Sequence, residues 1–216
     1  MEHHDVDAPR PSIPCNRQHV NMHIHANVAK LLRSKFTMMT RNLHIGGTSP
    51  SAGWEILNAI PAEYVDHVGN ANDLSRFADG TFSKIYASHV VEHLDYSSEI
   101  AMTLAEWRRT LQPGGSLYIS VPDMDILAGL FLEKNLLNLE ERFMVMRMIF
   151  GGHIDAFDYH LTGLNEEFLS EFLKSAGYTS ITRVESLKIF HDTSEMEFKG
   201  VRISLNVRAK NPENPV

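Results

Sequence analysis

The sequence predicts an α/β fold with a mostly parallel sheet, and three observations carry that reading. Short β-rich runs alternate with stretches of helical spacing from residue 41 onward. Glycine-rich or polar clusters stand at the ends of four successive strand-like runs. The chain has 216 residues, 43% of them hydrophobic and 22% charged, which is enough to bury one sizeable core.

Arg41–Ile45 reads as a strand ending in Gly46-Gly47. Trp54–Asn58 and Tyr64–Val68 are short second and third strands. The gap from Gly47 to Gly53 is too short for a crossover helix, so the first βα unit is abbreviated. Ser83–Ser88 is a fourth strand running into His89. Over Ser98–Leu111, Ile100, Leu104, Trp107 and Leu111 share a helical face, and Gln112-Pro113-Gly114-Gly115 stops the helix. Ser116–Val121 alternates like a buried strand and leads into Pro122-Asp123. Helical stretches follow over 124–133 and 137–149. Asn165 caps a helix over Glu166–Ala176, with acids in its first turn and Gly177 beyond its end. Thr179–Val184 and Val201–Arg208 close the chain as strands, readable as an antiparallel pair.

Charge and composition exclude several partners. The net charge is −7, and it is unevenly placed: residues 1–42 hold six Lys/Arg against three acids, and 43–216 hold 14 against 24. No nucleic-acid partner is expected of so acidic a body. No stretch approaches 18 uncharged apolar residues, so no membrane span is expected. A single cysteine, Cys15, excludes an intramolecular disulfide and a Cys-cluster zinc site. It fits a reducing compartment, and the expected location is cytoplasmic.

Residues 1–40 hold five of the twelve histidines and three of the nine prolines, with no clear period, and read as a flexible arm. They lack the apolar segment of a secretory signal. Asn27–Arg41 is basic in the manner of a transit peptide, against which Glu2, Asp5 and Asp7 argue; a true start at Met38 or Met39 is the blander alternative. The expected organisation is an arm over 1–40, one domain over 41–210 and a tail over 211–216.

In open α/β sheets, ligands bind outside the carboxyl ends of strands. After the first strand, Gly46 and Gly47 let backbone approach a ligand, though neither GxGxxG nor GxxxxGK[ST] is present. After the second comes Asn58, where nucleoside-binding folds place an acid against the ribose; an amide keeps the hydrogen bonding and loses the charge. Gly69-Asn70 and Asp73-Leu74 follow the third strand, and Ser88, His89, Glu92 and His93 the fourth.

These residues carry a resemblance. The run Leu43–Asp123 resembles a class I S-adenosylmethionine (SAM)-dependent methyltransferase of the type 11 kind, through LHIGG with GWEILN, NANDLSRFADGTFSKIYASHVVEHL and LAEWRRTLQPGGSLYISVPD. The later runs ERFMVMRMIFGG, DYHLTGLNEEFLSEFLKSAGY and ISLNV are similar to a narrower group of uncharacterised predicted bacterial methyltransferases. The resemblance implies a Rossmann-like seven-stranded sheet, mostly parallel with an antiparallel last strand, and helices on both faces. It implies S-adenosyl-L-methionine as cofactor. Gly46 and Gly47 would face the methionine part, Asn58 the ribose, Asn70 and Leu74 the adenine, and Ser88 and His89 the sulfonium side. The chain departs from the family in its short glycine loop and in Asn58 and Asn70, where acids are expected. The implied function is methyl transfer to a small-molecule or glycan-like acceptor. The alternative is a catalytically silent SAM-binding or scaffolding protein. A dinucleotide oxidoreductase would need a longer glycine fingerprint and a full crossover, and neither is present.

An acceptor that must lose a proton benefits from a general base. Candidates are His89, His93, Asp123, Asp155, Asp158 and His160, and the catalytic set favoured is His89, Asp123, Asp158 and His160. The stretch from Gly151 to Asn165, hinged on Gly151-Gly152, is expected to cover the acceptor; its plainer reading is a surface loop using Asp and His for turns. Glu92, His93, Asp158 and His160 carry donors suited to a divalent ion. The sequence nonetheless favours a site without metal, with Glu92-His93 as a helix end packed by local bonds. Met144, Met146 and Met148 do not share one helical face, so their helix offers a lid or a homodimer surface.

Overall fold

A computed structural model describes residues 40–213. The expected arm, apart from Thr40, and residues 214–216 of the tail lie outside the described residues. The chain opens with β1 (Arg41–Ile45), β2 (Glu55–Asn58), β3 (His67–Val68) and β4 (Phe82–Ser88). Among the described residues no helix separates these strands; turns replace the crossovers. Then come α1 (Glu99–Thr110), β5 (Leu111–Pro122), α2 (Met124–Leu132), α3 (Leu139–Phe150), α4 (Glu166–Ser175) and β6 (Thr179–Val184). The chain ends in β7 (Glu197–Phe198), β8 (Val201–Arg202) and β9 (Ser204–Lys210).

Seven strands form one sheet in the order β3-β2-β1-β4-β5-β9-β6, while β7 and β8 pair separately. The pairs from β3 to β5 are parallel, and β9 runs antiparallel to both β5 and β6. The order of connection reverses between β1 and β4, so a crevice opens there at the strand carboxyl ends. The last strand expected at 201–208 is two, because residue 203 interrupts the pairing and only β9 joins the main sheet.

The two faces of the sheet differ in chemistry. Leu43, Ile45, Ile85, Leu117, Ile119 and Val207 point to one face and pack on Leu104 and Trp107 of α1 and Leu169 and Leu173 of α4. The neighbours in the period of two, His44, Tyr86 and Ser120, point to the other face. There the segment 186–195 covers them. Phe190 stacks on His44 with centroids 4.2 Å apart and meets Tyr86 edge-on at 4.7 Å. Tyr86 donates its hydroxyl to Asp192 at 2.9 Å. Leu127, Val145 and Ile203 join α2 and α3 in a second apolar cluster. Among the described residues, no helix is long and apolar enough to cross a membrane.

Candidate functional site

A cavity of about 590 Å³ opens at the reversal of strand order. Its size suits an organic ligand, typically about 300–1,000 Å³. Gly46, Asn58, Asn70 and His89 line it from the sheet side; Phe157 and Tyr159 close it from the loop after α3.

Gly46 holds φ at +75°, in the left-handed region. Its N–H donates to the Leu57 carbonyl at 2.8 Å. A Cβ added there would stand 2.7 Å from Val90 Cγ2. The cradle therefore needs glycine for both its backbone and its wall. Gly47 lies behind the wall, its carbonyl accepting from Asn58 Nδ2 at 3.0 Å. Asn58 Oδ1 accepts from the Ile60 N–H at 2.9 Å. The amide thus ties the two loops together, while one N–H and one lone pair remain for a ligand. No described residue hydrogen-bonds the side-chain amide of Asn70.

Besides Gly47, two further residues expected at the cofactor lie outside the cavity lining. Leu74 is fully buried in the main core, because the turn joining it to Phe77 drives both side chains inward. Ser88 falls in step with Tyr86 and His44 on the opposite face, where its hydroxyl meets Thr193 at 3.1 Å.

His89 is reached by a left-handed turn, φ 54°, at the end of β4, with its N–H on the Ser120 carbonyl at 2.8 Å. Such a conformation costs a non-glycine residue about 1–2 kcal/mol and collects at functional sites. Its Nε2 lies 3.0 Å from Ser204 Oγ, whose own proton goes to the Thr193 carbonyl at 2.8 Å. Nε2 is therefore the donor, and Nδ1 is left bare 3.4 Å from Glu92 Oε1. Burial pushes the His89 imidazole down to about 4.

Glu92 is the surprise of the site. It is 1% exposed, neither carboxyl oxygen has a hydrogen-bond partner, and burial pushes it up to about 8. Its backbone carbonyl accepts from Leu161 and Thr162 at 2.8 and 3.1 Å, which fastens the covering loop. His93 Nδ1 donates to the Tyr159 carbonyl at 3.0 Å, and His160 Nδ1 to the Ile149 carbonyl at 3.2 Å. The structure thus gathers His89, Glu92, His93 and His160 beside the cavity.

Asp123 does not join them, and Asp158 lies within electrostatic range of His160 and His93 while its carboxylate is tied into its own loop. Asp123 is buried at the start of α2, where Oδ1 caps Asp125 N at 3.1 Å and Oδ2 pairs with Arg183 at 2.8 Å. Both oxygens hold the fold, so the carboxylate has no path to a substrate. Asp158 Oδ2 accepts from the Ile154 N–H at 3.3 Å and closes its own loop. Asp155 does likewise with Phe157 N at 2.7 Å. Sequence reasoning placed the loop carrying Tyr159 over the acceptor but did not single out Phe157 as a cavity wall; its aromatic character in a polar loop was the available signal.

Residues 53–119 match the family model of a methyltransferase domain. Among solved structures, a SAM-dependent methyltransferase from Methanosarcina mazei is 14% identical with a TM-score of 0.50, covering 85% of this chain and 98% of that one. Another from Archaeoglobus fulgidus is 15% identical with a TM-score of 0.50, covering 88% of this chain and 93% of that one. At such identities the likeness is one of fold. Among curated proteins, none matches the chain.

Proposed function

We propose that this chain, whose residues 53–119 match the model of a methyltransferase domain, is a type 11 methyltransferase on the class I fold, with S-adenosyl-L-methionine as its cofactor and a small-molecule or glycan-like acceptor. One observation supports this above others. The ends of β1, β2 and β4 and the loop after α3 line a single cavity, with a glycine cradle on one side and imidazoles on the other. The residues fit the cofactor: at Gly46 only backbone meets the cavity, since a Cβ there would clash with Val90, and Asn58 and Asn70 add side-chain amides to its lining. Gly46 would sit at the methionine part, Asn58 at the ribose and Asn70 at the adenine, with His89 toward the sulfonium.

SAM supplies a methyl group already activated on a sulfonium, so the protein's work is alignment and exclusion of water. Phe157 and Tyr159 close the acceptor side, and the Glu92 carbonyl holds their loop in place. His89, which lines the cavity, supplies an imidazole for an acceptor proton. Exposed Leu139, Phe143 and Met144 along α3 support a homodimer. The lone Cys15 supports a cytoplasmic setting.

The rival reading, a silent SAM binder, is favoured by the neutral Asn58, whose amide already serves the loops. Calorimetry with SAM, followed by product formation over a panel of hydroxylated metabolites and glycans, separates the two. SAM binding with no product across the panel favours the silent binder; no SAM binding at millimolar ligand overturns both.

A further inference from the structure

We propose that Glu92, His93 and His160 bind a divalent transition-metal ion on the acceptor wall of the cavity, and that its open position takes an oxygen atom of the acceptor. The ion site rests on these side chains alone; only the acceptor clause rests on the proposed methyl transfer.

The donors converge. One ligand atom from each of the three residues lies within 4.8 Å of the other two. The rings of His93 and His160 meet edge to face, with centroids 4.8 Å apart at 82°. Glu92 Oε1 is 4.0 Å from His160 Nε2. Ligand atoms around a tetrahedral ion, with bonds of about 2.0–2.2 Å, stand about 3.4 Å apart. Small side-chain rotations close that difference.

The tautomers are fixed from behind. A carbonyl can only accept, so the Tyr159 and Ile149 carbonyls place the protons of His93 and His160 on Nδ1. Both Nε2 atoms are left as lone pairs. Imidazoles pinned by their second nitrogen to a backbone carbonyl are characteristic of metal ligands. His89, pinned through Nε2 to Ser204, turns a third bare nitrogen toward Glu92.

The carboxylate at the centre lacks any donor. Both Glu92 oxygens are buried and unpartnered, and the bare nitrogens of His89 and His160 face Oε1. Lone pairs facing lone pairs in a dry site repel unless positive charge lies between them. One proton on Glu92 can satisfy one of these nitrogens and leaves the others bare. A dication satisfies several together.

The donor set also selects the ion. Imidazole with carboxylate suits zinc, cobalt, nickel or iron, whereas magnesium and calcium prefer oxygen alone. Three protein ligands leave a fourth position, the arrangement of catalytic sites. His93 and Tyr159 line the cavity, so that position faces the acceptor. An acceptor hydroxyl coordinating there would give its proton to the imidazole of His89, which lines the cavity. The acceptor oxygen then forms a bond to the methyl carbon as the carbon–sulfur bond breaks, and that electron pair returns to sulfur.

The test uses the full chain, produced without an affinity tag and stripped with chelator. Cobalt(II) is titrated by calorimetry and visible absorption into wild type, Glu92→Gln and His160→Ala. The N-terminal histidines can also take up metal, so the site is read by difference. Wild type should bind one cobalt more than either variant, with ligand-field bands that the variants lack and an affinity about 100-fold or more higher. Acetohydroxamate, a bidentate oxygen ligand, should shift those bands. Equal cobalt uptake in all three folded proteins overturns the ion site, as does uptake of protons alone. Bands that ignore acetohydroxamate overturn the open position. If Glu92→Gln fails to fold, His160→Ala and His93→Ala carry the comparison. SAM calorimetry on the same samples keeps the readings apart: normal SAM binding without the extra cobalt sinks only the ion, and the extra cobalt without SAM binding sinks only the methyl transfer.

Discussion

Replacing Gly46 with alanine strikes the cradle in two separable ways. Its φ of +75° lies where an L-residue loses about 1–2 kcal/mol. The new Cβ would also stand 2.7 Å from Val90 Cγ2. The Gly46 N–H is bonded to Leu57, so the backbone resists sliding and Val90 must give way. Overpacking of this kind costs about 1–3 kcal/mol. Together the two terms predict a loss of about 2–5 kcal/mol in urea unfolding followed by circular dichroism. A double-mutant cycle with Val90→Ala separates them: the contact term should disappear in the double variant, and the conformational term should stay. SAM affinity, read by calorimetry on the folded fraction, should fall at least tenfold in Gly46→Ala, because both groups line the cavity. A stability loss below about 0.5 kcal/mol, or a cycle with no coupling, would refute the reasoning.

Three further outcomes are expected. Asn58→Asp should destabilise by about 1 kcal/mol in the same unfolding assay, because the Gly47 carbonyl loses its donor and faces a carboxylate; an unchanged midpoint would show that the tether does not hold. Asp123→Asn should cost about 1–2 kcal/mol through the weakened α2 cap and Arg183 pair, yet leave SAM affinity within about threefold, which calorimetry can check. His44, buried against Phe190, is pushed down to about 4 by burial, whereas the unfolded imidazole takes its proton near 6.5. The unfolded chain therefore binds the proton first, and stability is lost as pH falls from about 6.5 toward 4, by at most about 3 kcal/mol; His44→Gln should flatten that part of the profile of unfolding midpoint against pH.

Much of the sheet was legible because its strands are β-rich runs closed by Gly46, Asn58 or Gly69, and because helix α1 shows its face at every third or fourth residue. β3 is shorter than the run Tyr64–Val68 suggests, since a turn from Ala62 to Val65 occupies its start. The period of two could have moved Ser88 away from the cofactor, because it falls in step with Tyr86 and His44. Glu92 was harder to read. A carboxylate beside a histidine on a short helical turn is usually solvated, and what buries it is the loop carrying His160, far along the chain.

The cover over the second face was illegible for a related reason, and it reaches into the site. Residues 186–195 show no period, and the contacts that seat them on the sheet come from other parts of the chain: Phe190 on His44, Asp192 on Tyr86, Thr193 on Ser204. The last of these sets the chemistry of His89. The Thr193 carbonyl takes the Ser204 proton, so Ser204 Oγ can only accept from His89 Nε2. That acceptance leaves Nδ1 bare toward Glu92. A segment with no polar group in the cavity thus decides which nitrogen of a cavity-lining histidine carries the proton. Substituting Ser204 should therefore alter the His89 tautomer before it alters the cavity, and nitrogen chemical shifts of the imidazole would report the change directly.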